Sequence, residues 1–293
     1  MSKIISAGSD EAGMAWAGFG VTYALNSDMT LNAVMAVSLT ALDRKRCVPS
    51  SHGSNPYLQR ALMLCNQAMA SETTYPHPEE LLLTAGLIFA FGLLFPGFLP
   101  LVANPGELDI LLLARANLII YERYIDQLKN SFVEKLLNPV PKGEWAYGTC
   151  EVEFITFLRD NLVLAKQAGE VDEDEERICQ ITLDRMQLLC YRALVLANSY
   201  PLLCILNTLH PDFADACRSK KSFSVCVFAY IAACLRISIF VSHHMIAWEN
   251  QILSSYAHVP VTMYFIIDRA KDFSYGKDFL EDYKWLAKLR ANL

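Results

Sequence analysis

Residues 29–42, MTLNAVMAVSLTAL, set the period on which the rest of the chain is read. Leu31, Val34, Met35, Leu39 and Leu42 recur at the spacing that gathers side chains on one face of an α-helix. Asp28 with Thr30 offers an N-cap, and Arg44-Lys45-Arg46 puts positive charge at the C-terminal end, where the helix dipole favours it. Residues 48–57 (VPSSHGSNPY) form a loop by their Pro, Ser, Gly and Asn content.

Outward from this stretch the same period continues. It predicts a helix over 58–70, an apolar helix opened by Glu79 and Glu80 and ending at Pro96, and one long helix or two over 108–137. Further helices are predicted over 151–168, 178–196, 200–209, 213–218, 223–245, 250–267 and 277–290. Alternating strand patterns are scarce, and no internal repeat is visible. The fold class expected is all-α. Residues 138–148 (NPVPKGEWAYG) are the strongest punctuation, so an N-terminal helical lobe over 1–140 and a C-terminal one over 141–293 are expected. Residues 169–176 (GEVDEDEE) read as a solvated acidic loop that feeds negative charge to a helix starting near Arg177.

Composition narrows the function. The chain has 293 residues, 53% hydrophobic and 19% charged, which supports a sizeable core and excludes a disordered or collagen-like chain. With 25 Lys+Arg against 31 Asp+Glu, the surface is not a generally basic coat, so any nucleic-acid contact must be local. Nine cysteines, at 47, 65, 150, 179, 190, 204, 217, 226 and 234, are odd in number, contain no Cys-x-x-Cys and sit mostly in apolar runs. They read as buried free thiols in a reducing compartment. The N-terminal residues lack a secretory pattern.

Stretches 81–106, 193–211 and 222–248 are apolar enough to suggest membrane spans. Pro96, Pro100, Pro105 and three glycines interrupt the first, Pro201 the second, and Arg236 with His243-His244 the third. Core helices are the preferred reading, with no membrane span. Phosphate-loop, dinucleotide, nucleophile-elbow and HExxH motifs are absent. His243, His244 and His258 with Cys226 and Cys234 match no common zinc spacing. No catalytic residue, metal site or cofactor is expected, and an enzyme is not.

Basic residues gather late in the chain. Residues 213–245 carry Arg218, Lys220, Lys221 and Arg236 against Asp215 alone, and Tyr256, Tyr264, Tyr275 and Tyr283 interleave with later basic residues. Composition alone reads this as a solvated helical face. The other reading is a groove that holds a phosphate backbone while tyrosines stack on bases or ribose.

Residues 252–290 bear on that choice. Ile252-Leu253-Ser254-Ser255-Tyr256-Ala257 and, after an insert, Tyr275-Gly276-Lys277-Asp278-Phe279 resemble paired elements of the C-terminal lobe in nucleoproteins of non-segmented negative-strand RNA viruses. The family's Arg in the second element corresponds to Lys277, which keeps the charge and loses the bidentate fork. His258-Val259-Pro260 stands where the family has glycines.

The resemblance implies a viral nucleoprotein that polymerises on single-stranded genomic RNA, held in a cleft between two helical lobes by sequence-independent phosphate and ribose contacts. Its implied RNA-binding residues are Arg185, Arg192, Lys220, Lys221, Arg236 and Lys277, with Tyr256 and Tyr275 for stacking. Arg185 and Arg192, seven apart, share a helical face. Implied partners are RNA, further copies of the chain in a ring or helical filament, a viral phosphoprotein and a polymerase. The implied location is the virion and the host cytoplasm or nucleus. The alternatives from other classes are a multi-span helical membrane protein and a helical scaffold or adaptor without nucleic acid.

Overall fold

The computed structural model describes residues 21–45, 55–70, 75–95, 102–103, 109–129, 131, 152–196, 202, 205–238 and 245–275. Among the described residues regular structure is helical and no strand occurs, so the chain is all-α. It divides into two compact units. One takes Met1–Pro100 and Leu108–Gly148, the other Leu101–Glu107 and Thr149–Leu293. The punctuating stretch 138–148 lies outside the described residues.

The first unit contains α1 (Val21–Asn26), α2 (Asp28–Lys45), α3 (Pro56–Ala70), α4 (Pro78–Leu94), α5 (Ile110–Arg123) and a single turn, α6 (Ile125–Leu128). Helix α4 packs against α2, α3, α5 and α6. Its sequence suits that place: residues 81–85, 87–89 and 91–93 are all buried, leaving no polar face. Pro78 opens it at a position where a missing N–H costs nothing. Among the described residues no helix is long and apolar enough to cross a membrane.

Helix α2 turns a different face inward from the one its large residues suggest. Its buried stripe is Met29, Thr30, Ala33, Ala36, Val37 and Thr40, whereas Leu31 and Leu42 are 37% and 45% exposed. Small side chains let α2 pack closely on α3 and α4. Polar pairs then fix the contact: the Thr30 and Thr84 hydroxyls lie 2.9 Å apart, and the Asn55 amide donates to the Thr40 hydroxyl at 2.9 Å. The N-cap is Ser27, one residue before Asp28. Its hydroxyl accepts from the Thr30 amide at 3.1 Å and also donates to Glu80. Asn55 likewise caps α3, accepting from the Tyr57 and Leu58 amides, so that helix begins at Pro56, before the predicted Leu58.

The expected 108–137 helix is two pieces among the described residues. Asp109 caps α5 by accepting from the Leu112 amide at 2.7 Å. The break falls at Tyr124, which is buried and whose hydroxyl accepts from the Tyr75 amide at 3.3 Å.

The second unit contains α7 (Glu153–Gln167), α8 (Glu173–Leu196), α9 (Pro211–Arg218), α10 (Ser222–Ser238), α11 (Met245–Ser254) and α12 (Tyr264–Ser274). Short 3-10 turns occupy Leu206–Thr208, Ser255–His258 and Val261–Met263. Helix α10 is the hub, contacting α7, α8, α9, α11 and α12, and residues 223–236 are buried throughout. Phe154 stacks on Tyr230 with centroids 5.4 Å apart, and Phe273 closes the same cluster at 4.8 Å from Phe154.

The predicted helix over 250–267 is broken. Pro260 has no N–H to donate, and the chain crosses it through two 3-10 turns before α12 begins. Of the predicted 200–209 helix, the described residues show the 3-10 turn 206–208 and a single helical residue at Leu202. The six described cysteines, Cys65, Cys179, Cys190, Cys217, Cys226 and Cys234, are buried thiols with no disulfide among them.

Candidate functional site

The second unit holds every site residue expected from the sequence. It begins with the acidic run, which is more ordered than a solvated loop. Helix α8 starts inside it, so Glu173, Asp174, Glu175 and Glu176 form its first turn. Asp172 is the cap, accepting from the Glu175 amide at 2.7 Å on one oxygen and from the Lys221 ammonium at 2.8 Å on the other. Glu176 pairs with Lys166 at 2.8 Å. Glu175 is only 3% exposed, and its carboxylate accepts from the Ser224 amide at 2.9 Å and the Ser224 hydroxyl at 3.0 Å. It thereby caps α10 from another helix, placing negative charge on the positive end of that dipole.

Lys221 is thus held against Asp172 at the joint of α8 and α10. Its hydrogen bond, followed by the Glu175 amide, keeps the Asp172 carboxyl below the ordinary value of 3.8. A carboxyl lowered by folding stabilises above its unfolded value and loses that contribution as pH falls through the folded one. Thermal melts below about pH 4 are expected to show a smaller acid-induced loss of stability in Asp172→Asn than in wild type. Equal losses would mean that this pair carries no pH linkage.

Arg236 is buried, 8% exposed, in the last turn of α10. Its guanidinium donates to the Ser274 carbonyl at the C-terminus of α12, faces Glu249 of α11 at 3.6 Å and lies 4.4 Å over the Tyr275 ring. Tyr275 in turn donates its hydroxyl to Glu249, which raises the phenol's pKa. Two of the expected site residues are therefore brought together, in a network that joins three helices.

Lys220 and the Ser255–His258 turn form a second grouping. They share a recess lined by Lys220, Val225, Phe228, Gln251, Ser255 and His258, where Ser255 is buried and donates its hydroxyl to the Gln251 carbonyl. The recess is shallow and half open to solvent. Tyr256, between Ser255 and His258 in the chain, is half-buried and donates its hydroxyl to Asp268. Burial first and that contact second push its pKa up to about 12. The sequence reading missed His258, Gln251 and Ser255 as site residues. The one signal was Ser255, which lies in the element that resembles the nucleoproteins; His258 follows it, where the chain departs from that family.

Arg185 stands apart from both groupings and donates to the Thr208 carbonyl, tying α8 to the 3-10 turn. Lys277 and the side chain of Arg192 lie outside the described residues. Among the described residues no group of three or more His, Cys, Asp or Glu side chains converges as a metal site would require. Comparison with protein-family models, curated proteins and solved structures finds no match for this chain.

Proposed function

We propose that the chain is a nucleoprotein that polymerises along single-stranded RNA and covers it through sequence-independent contacts to phosphate and ribose. The observation that carries this reading is the meeting of two distant segments at one recess. Lys220 comes from the basic stretch after α9, Ser255 from the element that resembles viral nucleoproteins, and His258 from the turn after it, where the chain departs from that family. Lys220 supplies charge that accepts any sequence, and Tyr256, next to Ser255 in the chain, packs edge-to-face on Tyr264 as an aromatic group for stacking. At the other end of α10, Arg236 holds Tyr275 in place. The net charge of −6 suits this role, since it keeps outer surfaces mutually repulsive while a local basic patch attracts RNA. Further copies of the chain, a phosphoprotein and a polymerase are the partners this reading implies, in a virion or an infected host cell.

The test is purification without detergent, followed by the nucleic-acid-to-protein absorbance ratio and negative-stain imaging before and after RNase. A high ratio with rings or filaments, both collapsing after RNase, is expected. The pair Lys220→Glu with Lys277→Glu is expected to release most of the RNA at high salt while leaving the helical circular dichroism unchanged. A protein-like ratio with small particles would replace this reading by the adaptor, and recovery only in detergent would replace it by the membrane protein.

A further inference from the structure

We infer that the recess bounded by Lys220 and His258 is a proton-gated site for a single phosphate group. The inference deepens the nucleoprotein reading and rests on it for the source of the phosphate, an RNA backbone, though not for the chemistry of the site.

The first support is the backbone at Lys220. Helices α7 and α9 end in the same motif, with paired hydrogen bonds closing the last turn: Gly169 and Glu170 donate to the Lys166 and Ala165 carbonyls, and Lys220 and Lys221 donate to those of Cys217 and Ala216. The residue at the turn must take a left-handed backbone. In α7 it is Gly169, with φ 74°; after α9 it is Lys220, with φ 59°, the one non-glycine residue with positive φ among those described. A side chain there is disfavoured where glycine is not, so the position carries an ammonium group against backbone preference.

The second support is charge. Neighbouring cations are matched: Lys221 faces Asp172, and Arg218 faces Asp215 at 3.0 Å. The exposed polar residues that line the recess are Lys220 and His258, beside Gln251, with no carboxylate among them; Ser255 is buried and donates its hydroxyl to the Gln251 carbonyl. Such a lining selects an anion with several acceptor oxygens. The recess is shallow and half open, so only one small group of a larger molecule seats at its mouth.

The third support is the imidazole. His258 is exposed, and a slight desolvation followed by the charge of Lys220 holds its pKa below the ordinary 6.5. Of the charges on the packed helices, Arg236 and Glu249 are engaged at Tyr275, Asp268 takes the Tyr256 hydroxyl beside Asp272, Arg269 pairs with Glu153, and Lys271 lies in the last turn of α12; Lys220 is the charge that acts on His258. An anion between the two cations reverses that repulsion. Binding therefore takes up a proton, and affinity rises as pH falls through the histidine range.

The experiment follows the His258 ring proton by NMR in the full chain freed of nucleic acid, titrating pH with and without saturating dimethyl phosphate, a diester whose charge is constant over the range. His258→Gln assigns the signal. The expected result is an upward shift of about one pKa unit, equivalent to about tenfold tighter binding to the protonated form. A short single-stranded RNA should give the same shift. Lys220→Gly should raise the melting temperature, remove the shift and weaken binding about tenfold. Lys220→Asn, also compatible with a left-handed backbone, gives the same readout if the glycine variant does not fold. An unmoved His258 with every probe would overturn the site. A shift with dimethyl phosphate or inorganic phosphate but not with RNA would overturn the RNA source and leave a free-phosphate site. RNA retention with His258 unmoved would overturn the subsite and leave the nucleoprotein reading standing.

Discussion

Glu175→Ala is expected to lower unfolding stability by about 3 kcal/mol, the largest effect of any single polar substitution proposed for the second unit. The carboxylate is buried and accepts two hydrogen bonds from Ser224, which is itself fully buried. Truncation leaves the Ser224 amide and hydroxyl without this acceptor in an apolar surrounding, and α10 loses the negative charge at its N-terminus. Glu175→Gln keeps an acceptor oxygen in place and is expected to recover part of the loss. Urea denaturation followed by circular dichroism measures both. If Glu175→Ala unfolds within about 0.5 kcal/mol of wild type, the cap carries no weight in the fold.

Arg236→Ala should cost a similar amount, about 3 kcal/mol. It leaves Glu249 without its cation and the Ser274 carbonyl without its donor, and it strips the cover from Tyr275. Arg236→Lys is the informative partner. An exposed phosphate contact tolerates lysine with little change in stability, because the charge is kept. The buried arrangement does not, since a lysine has no planar fork to span a carbonyl and a carboxylate while lying on a ring. Arg236→Lys is therefore expected to lose more than half of what Arg236→Ala loses. A stability equal to wild type in Arg236→Lys would return Arg236 to the surface contacts.

Much of the helical architecture was legible, because apolar period and punctuating residues report it directly. Glu79 and Glu80 lie in the first turn of α4 as expected, whereas the caps Asn55, inside a predicted loop, and Asp109 were not read. Which face a helix buries was harder to read. In α2 the large residues suggested one stripe, but close packing selected Ala33, Ala36 and Val37, and the leucines were left toward solvent. Hydrophobicity ranks side chains by size, whereas interhelical distance favours small ones.

The site was legible in part for a related reason. Lys220 was visible as a charge, but nothing in the sequence showed that it closes a left-handed turn or that Ser255 and His258 come round to meet it. Glu175 was hidden among its acidic neighbours, since only folding separates the one buried carboxylate from the exposed ones beside it. Arg236 read as a candidate contact because it belongs to the basic residues that gather late in the chain, and a charge count does not show whether an arginine faces a ligand or its own chain.

The hub position of α10 also bears on how the chain is made. Synthesis proceeds from the N-terminus, so α10 leaves the ribosome with α7, α8 and α9 available to cover it, while α11 and α12 are still to come. At about 5–20 residues per second, that interval lasts roughly a few seconds. During it, part of a helix with no polar face stands open to other nascent chains. The flank is covered by its own chain only once residue 274 has emerged.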